Sequence, residues 1–182
     1  MSLVIPRSPA VLALEIERRW DGSRCDDPRL HGRIALSATS EGLHIEGRAP
    51  DPGPLRIPNA PEKSRVADLW HYDVIECFLV GASGRYLEVE LGAGGHFLVL
   101  AFDAPRQRCD GHEPLRPGLE HDRDERGWRT AITLPWECIP EPVCGLNAFL
   151  AARGEYLAFH PLPGAEPDFH QPARYPSAKL VR

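Results

Sequence analysis

The sequence predicts an all-β fold, an antiparallel β-sandwich of the jelly-roll type with about nine or ten strands and one or two short helical turns. Three observations carry that expectation. Nineteen prolines and sixteen glycines cut the 182 residues into short pieces, which excludes long helices. Several pieces alternate apolar and polar residues with period two, the pattern of a strand with one buried face. The densest region, Trp70 to Phe102, reads as three strands joined by two glycine-rich turns.

The elements follow in order. Val11 to Arg18 sets Leu12, Leu14 and Ile16 against Ala13, Glu15 and Glu17, a half-buried strand. Arg33 to Thr39 repeats the alternation, and Leu43 and Ile45 continue it after Glu41-Gly42, so the pair reads as a hairpin. Pro50 to Pro61 holds five prolines and is expected to be irregular. Val74 to Val80 is nearly all apolar, as suits a central strand buried on both faces. Gly81–Gly84 turns the chain, Arg85 to Leu91 returns, Gly92–Gly95 turns again, and His96 to Phe102 completes the meander. The charged stretch 105–127 is a long loop or an excursion. Trp128 to Leu134 reads as a strand, and Pro135 to Pro140 as one helical turn with Pro at its start. Strands are expected over 147–153 and 155–161, and Leu162 to Pro176, with four prolines, closes the chain as coil. A chain of this length fits one domain, 1–182.

Composition narrows the function. A net charge of −5 supplies no basic field for a phosphate backbone, so nucleic acid is not an expected partner. No apolar run reaches the ~18–20 residues needed to cross a bilayer. The start, Met1-Ser2-Leu3-Val4-Ile5-Pro6-Arg7, lacks the basic and then apolar pattern of a secretory signal, and the expectation is a cytoplasmic protein. The five cysteines are odd in number and have no C-x-x-C spacing, so they read as structural rather than as disulfides or a zinc site. His71, His96, His160 and His170 show no metal-ligand spacing. No cofactor is expected.

Side chains alternate across a strand. In the simplest register of the Gly92–Gly95 turn, Leu91 faces His96 and Val89 faces Leu98. That places Leu87, Val89, Leu91, Leu98 and Leu100 on one apolar face. Tyr86, Glu88 and Glu90 then share the other with Phe97, Val99 and Ala101, and alternating charge on a solvated face accounts for the two glutamates. Glu76 breaks the pattern, a carboxyl among Val74, Ile75, Phe78, Leu79 and Val80. It either meets a cation inside the protein or lines a cavity, because an unpaired buried carboxylate is costly.

The run Leu69-Trp70-His71-Tyr72-Asp73-Val74-Ile75-Glu76-Cys77-Phe78-Leu79 resembles the W…D-x-V-E-x-F signature of family 9 carbohydrate-binding modules, part of the wider DOMON-like group of β-sandwiches. Tyr86-Leu87-Glu88-Val89-Glu90-Leu91 resembles a later strand of that family. Trp128 to Trp136 resembles its element before a short helix, and Asn147-Ala148-Phe149 the start of a following strand. A group of small stand-alone proteins is more similar still, through Trp70 to Phe102 and again at Pro167-Asp168-Phe169-His170. The resemblance implies a sugar site in which Trp70 stacks on a ring and Glu76 accepts hydrogen bonds from hydroxyls. Where the family carries an arginine on the next strand this chain has Glu88, and the family's later polar pair falls at Ala151 and Arg153. No tryptophan matches the second stacking position, near which stand Tyr156, Phe159 and His160. Some DOMON-like proteins hold haem through Met and His, but the sole methionine here is Met1.

The expected function is therefore non-catalytic binding of a carbohydrate or similar polar small molecule in a concave face. The candidate residues are Trp70, His71, Asp73, Glu76, Glu88, Arg153, His160, Asp168 and His170. Two alternatives stand beside it. One is an enzyme on a small polar substrate using Asp73, Glu76, Asp168 and His170, which requires those groups within proton-transfer reach. The other is a protein-interaction scaffold, which predicts a flat surface with no deep pocket.

Overall fold

A computed structural model describes residues 2–51, 53–109, 115–162 and 164–182. The strands are β1 Leu3–Ile5, β2 Leu12–Ile16, β3 Arg18–Arg19, β4 Gly32–Ala38, β5 Gly42–Ala49, β6 Val74–Gly81 and β7 Tyr86–Gly92. They continue as β8 Phe97–Ala104, β9 Gln107–Cys109, β10 Gly118–Asp124, β11 Gly127–Pro135, β12 Val143–Ala152, β13 Glu155–Ala158 and β14 Ala178–Leu180. Ten of the fourteen are four residues or longer, the number expected from the alternation; the four short ones carry little pattern to detect. The only helical elements among the described residues are 3-10 turns, at Pro28–Leu30, Leu69–His71, Trp136–Cys138 and Pro172–Arg174. The charged stretch 105–127 contributes β9 and β10; its residues 110–114 lie outside the described residues.

Two antiparallel sheets form the sandwich. One has the order β10-β11-β5-β4-β2 and the other β3-β13-β12-β6-β7-β8-β9, while β1 and β14 pair in parallel as a separate ribbon. Between the sheets lies an apolar core. Leu14, Ile34, Ile45 and Ile132 meet Ile75, Leu79, Val89 and Leu150 there. Every residue of β6 is buried, as its apolar run requires, because its second face is also covered.

The β7–β8 turn corrects the expected register by one residue. Gly92 N–H donates to His96 O at 2.8 Å and Gly95 N–H to Gly92 O at 3.0 Å, and Gly95 has φ +74°. This is a three-residue loop closed by a left-handed glycine bulge. It pairs Leu91 with Phe97, Glu90 with Leu98, Val89 with Val99 and Glu88 with Leu100. Phe97 and Val99 therefore join the inner face, and Leu98 and Leu100 join Glu88 and Glu90, since a shift of one residue exchanges the faces.

The outer face of the seven-stranded sheet is not solvated, which corrects the second expectation about Glu88 and Glu90. A second apolar cluster covers it. Leu69, Val66 and Tyr72 come from the segment before β6, and Leu162, Phe169 and Tyr175 from the coil between β13 and β14. Phe169 stacks on Phe149 with centroids 4.0 Å apart and planes at 9°. Phe78 meets His170 and Tyr175 edge-on at 5.7 and 5.8 Å. The coil is thus a strap across the sheet, held by aromatic contacts.

Candidate functional site

Between the strap and the sheet lies a cavity of about 600 Å³, within the range of small-molecule sites. Its floor follows from register. Glu76 on β6 lies opposite Glu90 on β7, and two residues along, Phe78 lies opposite Glu88 and Glu88 opposite Leu100. Two residues further, Tyr86, Phe102 and Arg108 form the next row. Each step is about 6.6–6.8 Å along the strands. Glu76, Glu88, Leu100 and Phe102 line the cavity from below. Trp70, His71 and Tyr156 stand at the Glu76 end, Arg106 and Arg108 at the opposite end, and Pro167, Phe169 and His170 of the strap close the side.

Trp70 is 38% exposed while its neighbour Leu69 is fully buried, so Leu69 anchors this short 3-10 turn and Trp70 is free to present its ring. Trp70 does not plug the core. The turn is held from below by Asp73. Its Oδ2 accepts from Arg56 N–H at 2.9 Å and its Oδ1 from Arg153 N–H at 3.0 Å. Its own N–H donates to Arg56 O, and its carbonyl accepts from Ala93 N–H, both at 2.9 Å. Asp73 thus fixes three loops at once and does not line the cavity. Arg153, in the β12–β13 turn, lies in an adjacent smaller hollow on the far side of Trp70.

The strap end is set by a chain of hydrogen bonds. Arg106 N–H donates to Tyr86 Oη at 3.1 Å, which leaves the phenolic proton for His170 Nδ1 at 2.8 Å. That arrangement puts the imidazole proton on Nε2, which faces Glu88 Oε2 at 3.9 Å. Burial, reinforced by Arg106, pushes His170 down to about 4. Burial pushes Glu88 up to about 8, with Arg106 and Arg108 working against it. Near neutral pH both are uncharged, so their approach is a contact of neutral groups and not an ion pair. Asp168 accepts from Arg106 Nη2 at 2.8 Å and from His170 N–H at 3.0 Å. It braces the rim and does not itself line the cavity.

Glu76 is 3% exposed and makes no hydrogen bond or ion pair with a described residue. Burial, and then Glu88, raise it well above the usual carboxyl range. Of the two expectations for Glu76, an internal salt bridge and a place on a cavity wall, the second is observed. Glu90, beside it, is fully buried with neither carboxyl oxygen hydrogen-bonded. Burial, with Glu76 and Glu88, raises it in the same direction.

Of the candidates read from sequence, Trp70, His71, Glu76, Glu88 and His170 converge on one cavity, with Asp168 at its rim. His160 does not; its backbone pairs with Asn147, which takes the His160 N–H and donates to its carbonyl. Phe102, Arg106 and Arg108 were not singled out from sequence. Phe169 was quoted only inside a motif; Tyr86 was placed by alternation on the face of Glu88 and Glu90 but was given no role.

In fold the chain is a β-sandwich of the family 9 carbohydrate-binding-module type. It superimposes on a candidate carbohydrate-binding protein of Bacteroides uniformis with TM-score 0.74 at 12% identity, over 99% of both chains. It also superimposes on a family 9 carbohydrate-binding module of Caldicellulosiruptor kristjanssonii in complex with cellotriose, with TM-score 0.58 at 14% identity, over 99% of this chain and 93% of that one. No protein-family model matches the chain. In sequence it is 32% identical over 173 residues to the UPF0462 protein C4orf33 homolog of Rattus norvegicus, covering 86% of this chain and 82% of that protein. The human UPF0462 protein C4orf33 is 32% identical over 172 residues, with 86% and 82% covered. The chain belongs to the UPF0462 family.

Proposed function

We propose that the protein binds a carbohydrate or a similar polar small molecule in the cavity between the strap and the outer face of the seven-stranded sheet. The observation that carries this reading is the meeting of an exposed ring, Trp70, with two buried carboxyls, Glu76 and Glu88, around one cavity. A flat aromatic suits the apolar face of a sugar ring, and carboxyl oxygens suit its hydroxyls. The fold relatives whose structures hold cellotriose and glucose support the same class of ligand. A cavity of this size also speaks against the flat surface that a pure interaction scaffold predicts.

The acid–base alternative fits less well. Asp73 spends both carboxyl oxygens on backbone N–H groups away from the cavity, and burial keeps Glu76 and Glu88 protonated near neutral pH, where a general base would have to be ionised. Calorimetric titration with mono- and oligosaccharides tests the binding reading. Saturable binding that Trp70→Ala and Glu76→Gln each weaken supports it; no binding by any sugar to the folded protein overturns it.

A further inference from the structure

The cavity has a charge order along its length. The aromatic end at Trp70 and Tyr156 is followed by Glu76, then Glu88, and only then by the cations Arg106 and Arg108. Glu76 is nearly sealed from solvent, aims into the cavity, and makes no hydrogen bond or ion pair with a described residue. Glu88 is sealed to the same degree and makes no hydrogen bond with a described residue; His170 Nε2 stands at 3.9 Å, beyond hydrogen-bond reach. Among the described residues, two adjacent buried carboxyls therefore lack donors, in a space large enough to admit a ligand that brings them.

The charged and titratable groups around this floor come from several elements, among them Tyr156 of β13. β7 supplies Glu90 and Tyr86; the segment before β6 supplies Arg65, Asp68 and His71. The β8–β9 turn and β9 supply Arg106 and Arg108, and the strap supplies Glu166, Asp168, His170 and Tyr175. Arg106 is engaged by Asp168, and His170 accepts the Tyr86 proton, so neither serves Glu76.

We infer that the preferred ligand is an amine-bearing sugar whose ammonium group sits between Glu76 and Glu88 while its ring lies against Trp70. This rests on the carbohydrate reading above and narrows it. An ammonium group supplies three donors and a single positive charge, so it holds one carboxyl of the pair ionised and hydrogen-bonds to the other while that one keeps its proton. A neutral hydroxyl supplies one donor and leaves the carboxyls protonated. Binding of the cation moves a proton from the carboxyl pair to solvent, whereas binding of a neutral sugar moves none.

Isothermal titration of the full chain at pH 7, in phosphate and in HEPES, compares glucose, glucosamine and 6-amino-6-deoxyglucose. The inference expects at least one amino sugar to bind about tenfold or more tightly than glucose. The difference in heat between buffers should report about one proton released per ligand. Glu76→Gln and Glu88→Gln, which remove buried acids without changing shape, should reduce that preference to near unity. Equal or tighter binding of glucose, with no proton release, overturns the amine preference and leaves the carbohydrate reading standing. Failure of all three sugars to bind overturns the amine preference; failure of the oligosaccharides as well overturns the carbohydrate reading.

Discussion

Glu76 and Glu90 face each other directly across β6 and β7, both buried on the outer face of the sheet and neither hydrogen-bonded or ion-paired to a described residue. Two like acids so placed cannot both ionise without a large penalty. The protein therefore folds most readily with them protonated.

The first prediction concerns pH. Glu88 has a folded-state value near 8 against the usual 4.5. Its stabilising contribution is complete below about pH 4.5 and is lost as pH rises towards 8, with a slope of about 1.4 kcal/mol per pH unit. Glu76 and Glu90 are raised too and act with the same sign. His170 acts oppositely: its folded value near 4 lies below the usual 6.5, so its contribution is present above pH 6.5 and is lost as pH falls towards 4. Glu88 and His170 offset each other between about pH 4.5 and 6.5, so the loss there comes from Glu76 and Glu90, and above that all three carboxyls contribute to it. Thermal melts should show a lower Tm at pH 8.5 than at pH 6. Glu90→Gln should narrow the difference and raise Tm at pH 8.5, because a buried unpaired acid is then replaced by a neutral group.

The second concerns the strap. Tyr86→Phe removes the acceptor for Arg106 N–H and the donor to His170 Nδ1. A loss of about 1–2 kcal/mol is expected. Hydrogen exchange should accelerate over the strap and the β8–β9 turn before it does so in β6. Uniform exchange across both regions would show that this hydrogen-bond chain does not hold the strap.

The third separates two neighbours. Asp73→Ala should cost about 2–3 kcal/mol, because two backbone N–H groups lose their acceptor in a buried place. Trp70→Ala should cost under about 1 kcal/mol, since much of its ring is already exposed. Denaturant unfolding of the two variants checks the contrast. On binding the expectation is different: Trp70→Ala should weaken sugar binding about tenfold or more, by loss of the stacking surface.

The fourth concerns the turn that sets the register. Gly95 has φ +74°, and a Cβ there would lie 2.7 Å from the His121 ring. Gly95→Ala should destabilise by more than about 1 kcal/mol. Gly84, also at positive φ but with open space around it, should tolerate alanine better, with a cost near 1 kcal/mol from the backbone alone.

Much of the fold could be read from the chain because alternation is local. Leu12–Ile16, the β4–β5 hairpin and the fully apolar β6 all declare themselves in a few residues. Glu76 was visible as an anomaly for the same reason. The one-residue slip between β7 and β8 was not visible, because it depends on whether Gly92–Gly95 closes with a left-handed glycine at its last position. The burial of Glu88 and Glu90 was hidden for a different reason. What covers them comes from the segment before β6, with Val66 and Leu69, and from a coil about eighty residues further along, with Phe169 and Tyr175, and no periodicity within β7 reports either. Asp73 shows the same limit: its residue type suggested chemistry, but three distant loops converge on it and make it a clamp.

The central claim, that Trp70, Glu76, Glu88 and the strap form a ligand site, is tested most directly by mapping backbone and indole NMR shifts while glucose or an amino sugar is titrated in. Saturable changes are expected, concentrated on Trp70, His71, Glu76, Glu88 and residues 166–170. Changes confined to the five-stranded sheet, or none at saturating millimolar sugar, would contradict it.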